Sequence, residues 1–135
     1  MREILFRGKK KPWGGWAEGS LVKMRDYYRI SEKNDMISFG VETETIGQFT
    51  GLTDKNGKKI FEGDIVNILG NQYVEDWKDV NYNALIAFLD GGFCAIDGTI
   101  EEHGFRRYAL ARMDFTLEVI GNIHDNPELL EGVSE

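Results

Sequence analysis

The chain has 135 residues, a net charge of −7, 41% hydrophobic residues and one cysteine. This length is typical of one domain, the apolar content argues against general disorder, and a single cysteine excludes an intramolecular disulfide framework. No apolar run approaches the roughly 18 residues of a membrane span, and the first residues do not resemble a signal peptide. We therefore expect one soluble domain over 1–135, located in a reducing cytoplasm.

Charge is distributed unevenly along the chain. Residues 1–25 carry seven basic and two acidic side chains, a net charge of +5, so the rest of the chain carries −12. An acidic body repels polyphosphates, which excludes nucleic-acid binding over the whole surface. The basic segment can be simply solvated, contact phosphate, or pair with an acidic face of its own or a neighbouring subunit.

The N-terminal third of the sequence predicts a hairpin region over about 1–44. Short apolar runs separated by glycine, proline and polar residues are typical of strands and turns. The predicted elements are a strand at 3–7 closed by Gly8, a loop at 9–15, a strand at 16–24 with Gly19 as its weak point, and a hairpin within 21–41.

A tight turn at Asn56-Gly57 is the strongest local signal in the chain. Both residues tolerate positive φ, as a type I′ turn requires. The apolar residues on either side of this turn predict strands. The sequence therefore predicts a β core that begins at about residue 45 and ends at about residue 124.

A second turn is predicted at Glu62-Gly63-Asp64, immediately before the aliphatic run 65–69. That run suits a buried strand. We interpret Asp64 as an acceptor of backbone N–H groups in this turn, which is the common role of an aspartate there. A minor alternative is a hydrolase that uses Glu62 and Asp64 as paired carboxylates.

The second half of the chain continues the β-rich pattern and ends in a helix signal. Asn126 is predicted to cap that helix, and Pro127 suits its first position. The predicted elements are a loop at 71–83 with at most one helical turn, strands at 84–89 and 93–96, a strand or helical turn at 107–113, a strand at 116–123, and a helix at about 126–131.

Residues typical of catalysis or metal binding are few and scattered. His103, His124 and Cys94 are far apart in the sequence and lack the spacing of metal ligands. Cys94 lies in an apolar strand and is better explained as a small hydrophobic residue than as a nucleophile. We expect no enzyme activity, no metal and no cofactor.

One cluster resembles a binding surface. Lys9, Lys10 and Lys11 precede Trp13 and Trp16, and aromatic rings beside cations can stack on bases while the cations neutralise phosphates. The same residues also suit a protein interface or ordinary packing of a small β core. These three alternatives stay open on the sequence alone.

Two blocks of the sequence resemble the YopX family of phage and prophage proteins. They are TIGQFTGLTDKNGKKIFEGDIVNIL at 45–69 and EVIGNIHDNPELL at 118–130. The segments ILFRG at 4–8 and W-x-x-G-S-L at 16–21 also fit, so the resemblance covers essentially the whole chain. It implies a small β-rich domain encoded by phages or prophages in a bacterial cell, and it carries over no catalytic residue.

These observations predict a mainly β fold, α+β by some criteria, that forms a small rolled antiparallel sheet or an SH3-like barrel with an N-terminal hairpin and a short C-terminal helix. We expect a binding module that acts on a host or phage protein or on itself as a homo-oligomer. The alternative function is nucleic-acid binding through the N-terminal basic and aromatic residues. No membrane partner is expected.

Overall fold

The structure is a computed structural model of the chain. It divides into two compact units, residues 1–52 and 53–135, which are considered separately. The described residues are 4–12, 14–32, 37–70, 81–89, 91–97, 106–109 and 116–131.

The first unit is an antiparallel sheet with strands in the order β4-β3-β2-β1-β5. A single-turn 3-10 helix, Thr43–Thr45, precedes the last of these strands. The strands are β1 (Phe6–Lys9), β2 (Trp16–Lys23), β3 (Tyr28–Glu32), β4 (Ile37–Val41) and β5 (Gly47–Thr53).

The core of the first unit lies on one face of this sheet. Ala17, Ile30 and Val41 are completely buried there. Side chains alternate between the two faces of a strand, and these three residues lie on the same face because of the register in which the strands pair. Phe6 and Phe39 pack against the same cluster. Removing this apolar surface from water stabilises the unit.

The prediction that Gly8 closes the first strand is wrong, because Gly8 lies inside β1 and pairs with Ala17. A Cβ atom at Gly8 would lie only 2.9 Å from Cβ of Val41. The glycine therefore provides space for the core residue of β4 and does not act as a strand breaker. Lys9, predicted as the start of a loop, is the last residue of β1.

The chain after β1 returns to the outer edge of β4, which makes the sheet rolled. Lys10 forms an isolated bridge with Val41, and the Lys11 N–H donates to the Gly40 carbonyl at 2.9 Å. Further along the same edge, Nη2 of Arg29 donates to the Ser38 carbonyl at 2.9 Å. These contacts occupy carbonyl groups that an edge strand otherwise exposes to pairing with another chain.

The second unit contains a five-stranded antiparallel sheet in the order β10-β9-β8-β7-β11. The short strand β6 (Lys59–Phe61) precedes it in the chain. The strands of the sheet and the helix that follows are β7 (Asp64–Leu69), β8 (Asn81–Leu89), β9 (Gly92–Asp97), β10 (Arg106–Ala109), β11 (Thr116–Asn122) and α1 (Glu128–Glu131).

The core of the second unit is aliphatic and is centred on the middle strands of the sheet. Val66 pairs with Ala84, and Ile86 pairs with Ala95, so small and large side chains alternate across neighbouring strands. Close packing of this kind leaves little room for substitution. Cys94 is buried on β9, in agreement with its interpretation as a small hydrophobic residue.

The predicted loop at 71–83 is wrong for its last three residues, because β8 already begins at Asn81. Asparagine is a poor strand former, but these side chains bond across the strands. Nδ2 of Asn67 on β7 donates to Oδ1 of Asn81 at 3.0 Å and to Oδ1 of Asn83 at 3.1 Å. The rest of that prediction, 71–80, lies outside the described residues.

Two further predictions concern residues near the C-terminus. The sequence left segment 107–113 undecided between a strand and a helical turn. In the structure it belongs to strand β10 as far as Ala109, and the remainder lies outside the described residues. Helix α1 begins at Glu128, and the main-chain carbonyl of Asn126 accepts the Leu129 N–H at 3.1 Å. Oδ1 of Asn126 accepts the Asn122 N–H at 3.3 Å, so this side chain closes the turn before the helix, and its role as the helix cap stays a prediction.

The fold is mainly β, as predicted, with antiparallel sheets and one short α-helix in the described ranges. Neither sheet closes into a barrel in the part of the chain that the structure describes. Of the two predicted forms, the described strands therefore favour the rolled antiparallel sheet over the SH3-like barrel.

The turn around Asn56-Gly57 is organised by Asp54. Oδ1 of Asp54 accepts the N–H groups of Asn56 and Lys58 at 2.8 and 2.9 Å, and Gly57 has φ of 82°. The Gly57 N–H donates to the Asp54 carbonyl, which makes Lys55 and Asn56 the central residues. The predicted type I′ turn would centre on Asn56 and Gly57, so the glycine instead follows the turn.

Asp54 also holds the outer edge of β11. Its Oδ2 atom accepts the Val119 N–H at 2.9 Å, and the neighbouring Lys55 N–H donates to the Leu117 carbonyl at 2.9 Å. Nζ of Lys55 lies 3.4 Å from Oε1 of Glu118. One buried carboxylate thus links a turn to a strand 65 residues further along the chain.

The free energy of unfolding should decrease on acidification through Asp54. Burial alone would raise the pKa of this carboxyl, but hydrogen bonds from Val119, Lys58 and Asn56 and the charge of Lys58 lower the pKa below its ordinary value. Asp54 therefore contributes stability above its unfolded-state pKa, and this is lost as pH falls through the folded-state pKa. In urea unfolding, the difference in free energy of unfolding between the wild type and Asp54→Asn should become smaller as the pH is lowered. A difference that does not depend on pH would contradict this role of Asp54.

Candidate functional site

Four of the five residues of the predicted basic and aromatic cluster are described, and they do not all lie on one face. Lys9 pairs with Trp16 in the register of β1 and β2. The ammonium of Lys10 lies 4.2 Å from the centroid of the Phe39 ring, and Phe39 packs against the buried core of the first unit. Lys11 is exposed, and Trp13 lies outside the described residues.

Cations of the first unit already contact aromatic rings of the same unit. The guanidinium of Arg7 lies 4.8 Å from the centroid of the Trp16 ring, in addition to the Lys10 contact with Phe39. Such pairs are attracted through the negative face of the ring. A base that stacked on Trp16 on the same side would have to displace Arg7. Trp16 and Lys10 therefore take part in packing contacts within the first unit.

The turn at Glu62-Gly63-Asp64 is a backbone junction of the second unit. Oδ2 of Asp64, which is 1% exposed, accepts the Phe61 N–H at 2.8 Å. Gly63 has φ of 95°, donates its N–H to the Ile86 carbonyl, and accepts the Ile123 N–H. Asp64 thus acts on main-chain groups in this geometry, while Glu62 beside it is half-buried.

A different exposed surface stands out at the end of the β2–β3 hairpin. All six residues from 22 to 27 are exposed, and the Met24 N–H donates to the Tyr27 carbonyl at 2.8 Å to close the turn. Three of them are large and apolar: Val22 is 40% exposed, Met24 37% and Tyr27 42%. We call residues 22–27 the hairpin tip.

The hairpin tip has a defined shape and charge. A Cβ atom at Gly40 would meet the Tyr27 ring at 3.9 Å, so the ring lies over a position of β4 that has no side chain. The guanidinium of Arg29 lies 6.0 Å from the centroid of the same ring. Lys23 and Arg25 alternate with the apolar residues and are exposed. With the exposed Asp26 included, the tip combines apolar surface with a net charge of +1.

Sequence reasoning did not identify the hairpin tip as a binding surface. The signal was present in the segment VKMRDY, where apolar and basic residues alternate to the end of the strand and into the turn. A turn normally consists of small and polar residues, so methionine and tyrosine there are unexpected. Their exposure, however, follows from how the strands pair, which the sequence alone does not give.

The described residues contain neither a metal-binding cluster nor a membrane-spanning helix. No group of three or more His, Cys, Asp or Glu side chains in these ranges is arranged to hold a metal ion. Among the described helices, none has the length and apolar character needed to cross a membrane.

Comparison with known proteins gave one family and similar solved structures. The model of the YopX protein family matches residues 6–131. The crystal structure of protein yopX from Bacillus subtilis is similar with a TM-score of 0.59 at 19% identity, covering 96% of this chain and 99% of that chain. Protein EF1440 from Enterococcus faecalis gives a TM-score of 0.48 at 23% identity, with the same coverage. Among curated proteins, none matches the chain.

Proposed function

We propose that this chain, which belongs to the YopX family, is a non-enzymatic protein-binding module that contacts its partner through the hairpin tip. The observation that carries the proposal is the exposure of Val22, Met24 and Tyr27 at a single turn. The YopX resemblance described above adds a phage or prophage origin to the proposal. The partner would then be a host or phage protein, or a second copy, in the bacterial cytoplasm.

The composition of the hairpin tip supports protein recognition. Tyrosine, methionine and arginine are enriched in protein interfaces, and the tip contains one of each within four residues. Large apolar residues that are exposed together mark interaction sites more often than isolated ones do. The hairpin holds them in place before binding, which reduces the entropy lost on association.

The contacts of two basic residues favour this function over nucleic-acid binding. Lys10 and Arg7 contact Phe39 and Trp16 within the first unit, as described above. The chain as a whole carries −7, so its long-range field opposes a polyphosphate. A protein partner with acidic groups around an apolar patch instead complements Lys23 and Arg25.

A photo-crosslinking amino acid placed at Tyr27 tests the proposal. Irradiation of bacterial cells that produce this variant, and of the purified protein, should give a discrete crosslinked product. The matched control carries the same group at Phe88, which is 49% exposed in the second unit. A Met24→Asp change in the same chain should abolish the product at Tyr27, because it introduces an acidic group into the apolar centre.

Two outcomes would contradict a binding role for the tip. One is a product of equal yield at Phe88 and at Tyr27, which would indicate unspecific capture. The other is a product at Tyr27 that persists when Met24→Asp is present. Circular dichroism of each variant checks that the fold is retained, since all three positions are exposed.

A further inference from the structure

We propose that the occupant of the hairpin tip is a second copy of this chain, with the tip of one copy seated on the acidic second unit of the next. The inference rests on the proposed function, since it requires the tip to be the binding surface. It adds the identity of the partner and the surface that receives the tip.

The two units carry opposite net charge. Residues 1–52 contain nine basic and seven acidic side chains, a net charge of +2, whereas residues 53–135 contain seven basic and sixteen acidic ones, a net charge of −9. Opposite charges steer the encounter of two proteins and disfavour other orientations. The surface that best complements Lys23 and Arg25 is therefore available on every other copy of the chain.

The second unit also offers exposed apolar side chains beside its acidic groups. Leu69 and Ile120 are 39% and 37% exposed, and Glu118 is partly exposed. Leu69 pairs with Thr116, two residues from Glu118, so the side chains of Leu69 and Glu118 project from the same face of the sheet. Ile120 lies at the irregularity between Val119 and Gly121 in β11.

Helix α1 is bonded to that face and carries another exposed acidic residue. Nδ2 of Asn83 donates to the Leu129 carbonyl at 3.0 Å, and Asn83 projects from the same face as Asn67. Glu128 at the start of α1 is exposed. Lys55, which lies 3.4 Å from Glu118, offsets one of these charges. In the proposed contact, this face, which carries Leu69, Glu118 and the neighbouring asparagines, receives the apolar and basic side chains of the hairpin tip.

The geometry of such a contact determines the kind of assembly. The tip and the receiving face are different surfaces, so a contact made once per pair of copies is heterologous and builds rings or open chains, whereas the same contact made twice about a two-fold axis closes a dimer. Six residues bury less than the roughly 800 Å² per partner of a standard interface. We therefore expect association that depends on protein concentration and weakens as salt screens the charges.

Sedimentation velocity of the full chain tests the inference. The wild type should form larger species as its concentration rises, more at low salt than at high salt. Arg25→Glu and Glu118→Lys should each abolish this at low salt, and an equimolar mixture of the two variants should restore association because every contact between unlike variants then pairs opposite charges. Lys11→Glu, an equal charge change at an exposed residue outside the tip, should leave association unchanged.

Several results would overturn the inference. They are a monomer at every concentration and salt, equal effects of Arg25→Glu and Lys11→Glu, or no association in the mixture. Salt-dependent binding to anionic vesicles that Met24→Asp abolishes, in a chain that stays monomeric, would assign the tip to a membrane surface instead. A monomer that still crosslinks at Tyr27 to a different protein would refute the second copy and leave the proposed function intact.

Discussion

Asp54→Ala is expected to lower the free energy of unfolding by about 3 kcal/mol. The carboxylate accepts N–H groups from Asn56, Lys58 and Val119, and alanine would leave all three donors without this acceptor. An unsatisfied buried donor costs about 1–3 kcal/mol, although water would reach part of the turn. The effect should be this large because one side chain connects the turn to the edge of β11.

Urea unfolding measures this change, and hydrogen exchange locates it. The Val119 amide should exchange much faster in Asp54→Ala, because its acceptor is gone. Asp54→Asn is the matched control, since its one oxygen can still accept but its amide group faces an N–H donor, and we expect an intermediate loss. A decrease in the free energy of unfolding of less than about 0.5 kcal/mol for Asp54→Ala would contradict the role of Asp54 in joining the turn to the edge of β11.

Gly19→Ala should destabilise the first unit by about 3 kcal/mol or more, because the added methyl group has no space. A Cβ atom at Gly19 would overlap the main-chain oxygen of Ser31 and lie 2.9 Å from its carbonyl carbon. Main chain cannot rotate away as a flexible side chain can. Strand β3 would have to move relative to β2, and the pairing of Ser20 with Ser31 would be lost.

Gly40→Ala provides the comparison for this substitution. Gly40 lies in the same sheet, and its added Cβ would meet the Tyr27 ring at an ordinary contact distance of 3.9 Å. Thermal unfolding followed by circular dichroism should show a large decrease in melting temperature for Gly19→Ala and a small one for Gly40→Ala. Equal shifts for the two variants would show that the close approach of β2 and β3 is not what requires Gly19.

Local turn chemistry could be predicted from the sequence because its causes are local. Asn56-Gly57 and Glu62-Gly63-Asp64 lie at turns, and their glycines have φ of 82° and 95°. Even so, the predicted type I′ turn centred on Asn56 and Gly57 was wrong. Asp54 accepts two N–H groups of the loop, and the centre of the turn lies one residue earlier. The partner of its second oxygen, Val119, is 65 residues away and gives no signal near Asp54.

Glycines within strands show why the remaining details could not be predicted. Gly8 was interpreted as the end of a strand and Gly19 as a weak point within one, because glycine has a low strand propensity. Each is instead required by an atom of another strand, Val41 for Gly8 and the Ser31 main chain for Gly19. Contacts between distant parts of the chain decide these positions. Asn81 is similar, because its strand conformation accompanies a bond from Asn67.

The candidate site depended even more on tertiary structure. The cluster of Lys9, Lys10, Lys11, Trp13 and Trp16 drew attention because its residues are adjacent in the sequence. In the structure, Lys10 and Trp16 contact rings or cations of the same unit. The hairpin tip, which the sequence did not single out, consists of the exposed end of β2 and the turn that connects it to β3.

The claim that the hairpin tip is the binding surface is tested most directly by the methyl signal of Met24. The chain has four methionines, and Met24 is the one that lies on the tip. In a spectrum of methyl-labelled methionine recorded at increasing protein concentration in low salt, we predict that the Met24 signal shifts and broadens in the wild type but not in Arg25→Glu. A Met24 signal that stays sharp and unshifted, while association is detected by sedimentation, would show that binding occurs elsewhere and contradict the account.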